Sequence, residues 1–164
     1  MKEISIKELT KENFDKYGSF SKMLMPEGIH LGDYPCEFYR DMNRMNISSQ
    51  MVGFSVTRTY KREPVITELE YHNYTSEALM PMDGDIYIHV APATGNGSVP
   101  YDKIEVFHVE KGTLVTLRPG TWHTGAFTLD QDIVNVLIVL PERCYENDCH
   151  IVPIPDEEQV LIKR

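Results

Sequence analysis

The chain reads as an all-β barrel or sandwich. Short stretches of alternating apolar and polar residues recur along it, turns containing Gly or Pro separate them, and no long stretch carries apolar residues at helical spacing. At 164 residues it is most simply a single domain, residues 1–164, with enough chain to bury one substantial core. A formal net charge of −9 argues against nucleic acid, because a phosphate backbone is engaged by a basic face. No apolar run reaches the roughly 18–20 residues needed to cross a bilayer, so no membrane association is expected. Met1 to Lys7 lacks a signal-peptide core, and Cys36, Cys144 and Cys149 form no CxxC pair, so the expected setting is a reducing cytoplasm with free thiols.

Residues 2–7 alternate and predict a first strand. Thr10, with Asn13 three residues on, marks the start of one short N-terminal helix that stops at Gly18; Phe14 and Tyr17 share its buried face. Residues 19–33 carry Pro26, Gly28 and Gly32 and read as irregular, and residues 36–45 as a strand or a short turn. In residues 51–60, Val52, Phe54, Val56 and Arg58 fall on one face. If that face looks inward, the Arg58 guanidinium needs an anionic partner, either Glu68 or Glu70 or a substrate carboxylate. Residues 60–64 read as a hairpin connection. Residues 65–72 form a strand with Glu68, Glu70 and His72 on one face and Leu69 and Tyr71 on the other.

Asp83-Gly84 is a type I′ hairpin signal. Residues 85–92 and 103–110 alternate as strands, with His89 and His108 at outward or interfacial positions. Arg118-Pro119-Gly120 is a sharp turn that presents Trp122 and His123, and Trp122 is either a cavity wall or a core ring. Residues 125–129 and 133–140 give further strands, the latter so apolar that cover on both faces is expected; Asn135 within it must find a hydrogen-bond partner or face a cavity. Pro141 ends it, and residues 160–162 are placed to cover a sheet edge. Cys149 is either a small apolar filler or a neighbour of something functional.

The chemistry concentrates in Glu70-Tyr-His72, Glu77 and His123. Glu70 and His72, two apart on a strand, project together, and Glu77 and His123 are near enough in a β fold to join them. Two imidazoles and two carboxylates suit one divalent metal ion such as Zn, Mn, Fe or Ni, and equally suit acid–base work without a metal.

The spacing acid-x-His-x4-Glu-x6-Gly from Glu70 to Gly84, followed by Pro119-Gly-x-x-His123, resembles the two sequence motifs of the cupin superfamily, with Glu70 in place of the first His. Within that superfamily the chain is similar nearly end to end to the ureidoglycolate lyase (ureidoglycolate hydrolase) family. The likeness includes Leu9 to Gly18, Phe54 to Arg58, Glu68 to His72, Leu79-Met-Pro81, Trp122-His123, and Cys149 ahead of Ile154-Pro155. The resemblance implies a cupin-type double-stranded β-helix, or jelly-roll barrel. It also implies a lyase that splits (S)-ureidoglycolate into glyoxylate and urea.

In that reading His72, His123 and Glu70 are the catalytic candidates. Arg58, His30, Tyr39 and Trp122 are the substrate-binding candidates, for a small anionic substrate. Glu70, His72, Glu77 and His123 are the candidate metal ligands. A homodimer joined through strand edges is expected. Glu77 stands where the family pattern has Gln, and Thr124 where it has a further His. The chain is thus better equipped for a divalent metal, and a metal-dependent enzyme of another small hydroxy acid or sugar acid is the alternative, alongside a non-catalytic small-ligand binder.

Overall fold

The computed structural model describes residues 1–164. The elements in order are β1 (Lys2–Glu8), α1 (Lys11–Phe14), β2 (Gly18–Lys22), β3 (His30–Leu31), β4 (Phe38–Tyr39), β5 (Val52–Tyr60), β6 (Val65–Ile66), β7 (Glu68–Tyr71) and β8 (Glu77–Pro81). They continue with β9 (Ile86–Ala91), β10 (Glu105–Val109), β11 (Thr113–Leu117), β12 (Trp122–His123), β13 (Ile133–Pro141), α2 (Cys144–Asn147), β14 (His150–Pro153) and β15 (Val160–Lys163). Two sheets face each other. One runs β14-β7-β12-β9-β10-β1-β15-β6, the other β2-β11-β8-β13-β5, and β3-β4 is a separate ribbon. Successive strands β7, β8 and β9 alternate between the sheets, as a jelly roll requires, so the fold is all-β and cupin-like.

Period-2 alternation puts two cores on either side of the larger sheet. Ile86, Ile88 and Val90 of β9 face inward to Leu79, Val115 and Val136 of the smaller sheet. Ala91 of β9, Leu69 and Trp122 face outward and are covered by the tail through Ile154, Val160 and Ile162. Strand β9 is therefore buried on both faces. No helix is long and apolar enough to cross a membrane.

Several local expectations change for identifiable reasons. Helix α1 has the capping box, with Thr10 Oγ1 accepting from the Asn13 N–H and Asn13 Oδ1 from the Thr10 N–H, but it ends at Phe14. Gly18 instead opens β2, where an added Cβ would stand 1.8 Å from the Thr116 carbonyl oxygen. The stretch read as irregular therefore begins with a strand paired to β11. Asp83-Gly84 makes no I′ hairpin: Gly84 lacks the left-handed backbone, and the chain passes there from the smaller sheet to the larger. Residues 60–64 likewise cross between sheets. Residues 125–129 contribute only a bridge from Phe127 to Tyr87. The outward face of β13 is uncovered, with Ile133 exposed and Leu137 and Val139 half-buried. Asn135 lies on that face, where its backbone N–H donates to Asp83 Oδ1 at 2.7 Å and its side-chain amide donates to Asp83 Oδ2.

Candidate active site and metal-binding triad

His72 immediately follows β7, Glu77 begins β8 and His123 ends β12. Three local features bring them together. Strand β12 pairs with β7 so that His123 lies opposite Glu70, and with β9 so that His123 lies opposite Val90. The Pro119-Gly120 turn, with Gly120 at φ +80, donates the Gly120 N–H to the His72 carbonyl at 2.6 Å. Asp148 then braces the turn after His72, its buried carboxylate accepting the N–H groups of Asn73 and Tyr74 at 2.8 Å each.

The ring orientations follow from their partners. His72 Nδ1 is 2.5 Å from the Asp148 carbonyl oxygen, and His123 Nδ1 is 2.8 Å from that of Thr121. A carbonyl can only accept, so each Nδ1 carries the hydrogen and each Nε2 presents its lone pair. Both Nε2 atoms lie 3.0 Å from the same atom, Glu77 Oε2. All three side chains are buried, and their ligand atoms lie within 4.8 Å of one another.

This donor set fits a divalent metal ion. Imidazoles anchored through the far nitrogen to carbonyls, with a carboxylate between them, form a typical first coordination sphere with its supporting shell. Without a metal the same geometry demands a proton on one Nε2. Burial opposes the charge on His123, but Glu77 outweighs it and lifts the imidazole to about 9. Burial likewise opposes the charge on Glu77, yet the His123 and His72 contacts bring its carboxyl down to about 2.

The triad forms part of the wall of a cavity of about 180 Å³ between the sheets. Glu70 also lines it, but Glu70 is not one of the converging ligand atoms; its Oε2 accepts the Cys149 S–H at 2.9 Å. Burial first, and then the bond to Glu70, push the Cys149 thiol up to about 12, so it remains a donor. Thr57, Thr59, Thr124 and the exposed Tyr145 contribute hydroxyls, and the remaining wall is mostly aliphatic.

The other candidates lie elsewhere. Arg58 is exposed on the outward face of β5, because Thr57 and Thr59 take the inward one; its Nε is 3.5 Å from Asn135 Oδ1. Glu68 is exposed and outside the cavity. His30 and Tyr39 pair with each other across the β3–β4 ribbon, rings 5.0 Å apart, and do not line the cavity. Trp122 is a core ring on the outer face of β12, edge-on to Tyr71, with its indole N–H donating to Thr94 Oγ1 at 3.0 Å. Asp148 as a brace for His72 is not legible in residue order, since its partners lie more than seventy residues away in the chain.

The cavity between two facing sheets, with His72 and His123 supplied by one sheet and Glu77 by the other, defines a cupin-like fold. A dTDP sugar isomerase of Desulfovibrio desulfuricans G20 superposes with TM-score 0.54 at 13% identity, covering 86% of this chain and 87% of its own. A dTDP-6-deoxy-D-glucose-3,5-epimerase of Legionella pneumophila gives 0.51 at 14%, covering 88% and 87%. These likenesses concern the fold alone. The family model described as ureidoglycolate lyase matches residues 1–161, and the chain belongs to that family. Ureidoglycolate lyases of Escherichia coli (strain K12 / DH10B) and Shigella boydii serotype 18 are each 22% identical over 158 residues, covering 94% of this chain and 96% of theirs.

Proposed function

We propose that the protein is a metal-dependent carbon–nitrogen lyase acting on a small 2-hydroxy acid that bears an amide-type nitrogen on the hydroxyl carbon. Ureidoglycolate, which would give glyoxylate and urea, is the simplest such compound. The observation that carries this reading is the triad itself: two imidazoles, each fixed through Nδ1 to a backbone carbonyl, aim their Nε2 lone pairs at one carboxylate in a buried cavity. His72, Glu77 and His123 would hold the metal. Bound there, it supplies positive charge for the substrate carboxylate and hydroxyl oxygens. No Arg or Lys lines the cavity to do so instead.

With both imidazoles committed, Glu70 is the free base. It stands across from His123 and is steadied by the Cys149 thiol. In the reaction the hydroxyl proton is removed, its electron pair becomes the carbonyl bond, and the carbon–nitrogen bond breaks onto nitrogen, which takes up a proton. His72 and His123 thus act in this reading as ligands and not as base and acid. The test is release of urea and glyoxylate from racemic ureidoglycolate by chelator-stripped and metal-loaded protein. Metal-dependent release of both products, lost in Glu77→Ala, supports it; equal release by stripped protein counts against the metal.

Self-association fits the same molecule. Strand β5 is the open edge of its sheet, and Phe54 and Val56 are exposed on its outward face. We propose that a second copy covers them, and sedimentation of a Phe54→Glu variant as a monomer beside a dimeric parent checks this.

A further inference from the structure

Strand β12 is short because the chain bulges after it. His123 lies opposite Val90 and Phe127 opposite Tyr87, so four residues of advance on one side match three on β9. Off the ladder, the carbonyls of Gly125 and Ala126 accept from Arg62 at 3.2 and 3.1 Å. A cavity of about 160 Å³ opens at this bulge, on the outer side of the larger sheet. His89, on the outward face of β9, lines it together with Arg62, Thr67, Glu68 and Phe127. It shares only Thr124 and Gly125 with the cavity of the triad.

Two side chains there carry hydrogen-bonding capacity that the protein leaves unused. His89 is fully buried, and neither ring nitrogen has a partner. Burial first, with His123 and Arg62 adding to it, lowers the imidazole to about 3, so at neutral pH the ring offers one N–H and one lone pair. Arg62 makes no ion pair; Glu68, exposed at the rim, acts on it only from a distance. Its guanidinium is nevertheless held in place, 3.9 Å over the Phe127 ring and against the two carbonyls, with the rest of its N–H fork free. A cation positioned beforehand loses little freedom when it takes up a ligand.

We infer that this outer cavity is a second binding site, for a small monocarboxylate that accepts from the free N–H groups of Arg62 and from the His89 ring. A single negative charge suits it better than a phosphate dianion, because Arg62 is the one cation lining the cavity and Glu68 stands beside it. The space suits a molecule of about benzene's size or smaller. Gly125 has open space where a Cβ would stand, so the bulged segment has room to yield as the ligand reaches the ring. The site does not depend on the lyase reading, since neither Arg62 nor His89 lines the cavity of the triad.

The test uses the full chain, chelator-stripped so that no metal at the triad competes for the carboxylate. Acetate, glycolate and inorganic phosphate are titrated in at constant ionic strength while the histidine ring nitrogens are followed by NMR. The His89 signals are those missing from the His89→Phe spectrum. They should move saturably with acetate and with glycolate, and the affinity should be about tenfold weaker in Arg62→Gln. Should that variant not fold, Arg62→Lys, which keeps the charge and loses the fork, should also bind more weakly than the parent. No saturable change at His89, movement of the His72 and His123 signals alone, or tighter binding of phosphate than of acetate overturns the inference. So does parental affinity in the Arg62 variant.

Discussion

Two buried histidines on neighbouring strands meet opposite fates. His123 on β12 lies across from Val90, and His89 is the residue before it on β9, so the two imidazoles are close in the sheet but on opposite faces. His123 uses both nitrogens, one on the Thr121 carbonyl and one on Glu77. His89, fully buried against Phe127, uses neither. On the cavity face, burial is offset by an anion and the imidazole is raised to about 9. On the outer face, burial acts first, with His123 and Arg62 adding to it, and His89 falls to about 3. A buried imidazole here joins a donor set where a carbonyl and a carboxylate partner it, and it is a cost to stability where it has no partner.

The largest effect expected from this contrast is at the carboxylate between the rings. Glu77→Ala should lower metal affinity by well over a hundredfold, beyond what loss of an outer-shell partner does, and metal content measured after gel filtration should fall accordingly. Asp148→Ala leaves all three ligands present but loosens the turn that aims His72. Roughly tenfold weaker metal binding is expected, readable in a chelator competition. His89→Phe should behave in the opposite way to any change at His123: metal affinity unchanged, and stability higher by about 1 kcal/mol in a denaturant titration, because an unpartnered polar ring has been replaced by an apolar one.

The pH dependence separates the two rings further. His89 is held below its ordinary 6.5, so the unfolded chain binds its proton first and stability falls as pH drops from 6.5 towards 3. His89→Phe should flatten that limb. The slope left below about pH 4.5 belongs to Glu105, which the Lys16, Lys7 and Tyr17 contacts hold at about 2 against its burial, and in metal-free protein also to Glu77, which the two imidazoles hold at about 2 against its own burial. His123 has the reverse sign. In metal-free protein its contribution is complete below pH 6.5 and is lost as pH rises through about 9; in metal-loaded protein, where the imidazole is neutral, that alkaline limb should vanish. Thermal melts across pH 3–10, with and without metal, check both. The smallest effect expected is at Arg58, outside the barrel, where Arg58→Ala should change stability by no more than about 0.5 kcal/mol and leave metal affinity unaltered.

Much of the fold and the triad was legible in residue order. Alternation marks β5, β9 and β10 as strands and an apolar run marks β13, and the spacing of Glu70, His72, Glu77 and His123 singles out four candidate ligands, of which His72, Glu77 and His123 converge. What failed was whatever depends on which sheet a strand joins. Arg58 is a substrate-binding candidate only if the face it shares with Phe54 and Val56 looks inward, whereas that face of an edge strand is exposed and the inward one carries Thr57 and Thr59. Asp83-Gly84 has hairpin composition but serves a crossing between sheets. Trp122 could not be oriented until its neighbour His123 was placed in the cavity. Asp148 and the Cys149–Glu70 contact arise from the tail folding back on β7, a pairing that no local pattern encodes.

The most direct test of the three-ligand site is calorimetric titration of Zn²⁺ into chelator-stripped protein, beside Glu77→Ala, His123→Ala and Glu70→Gln. One site per chain in the parent, abolished in the first two variants and retained in Glu70→Gln, is the predicted result. Undiminished binding in Glu77→Ala, or loss of binding in Glu70→Gln, would contradict it.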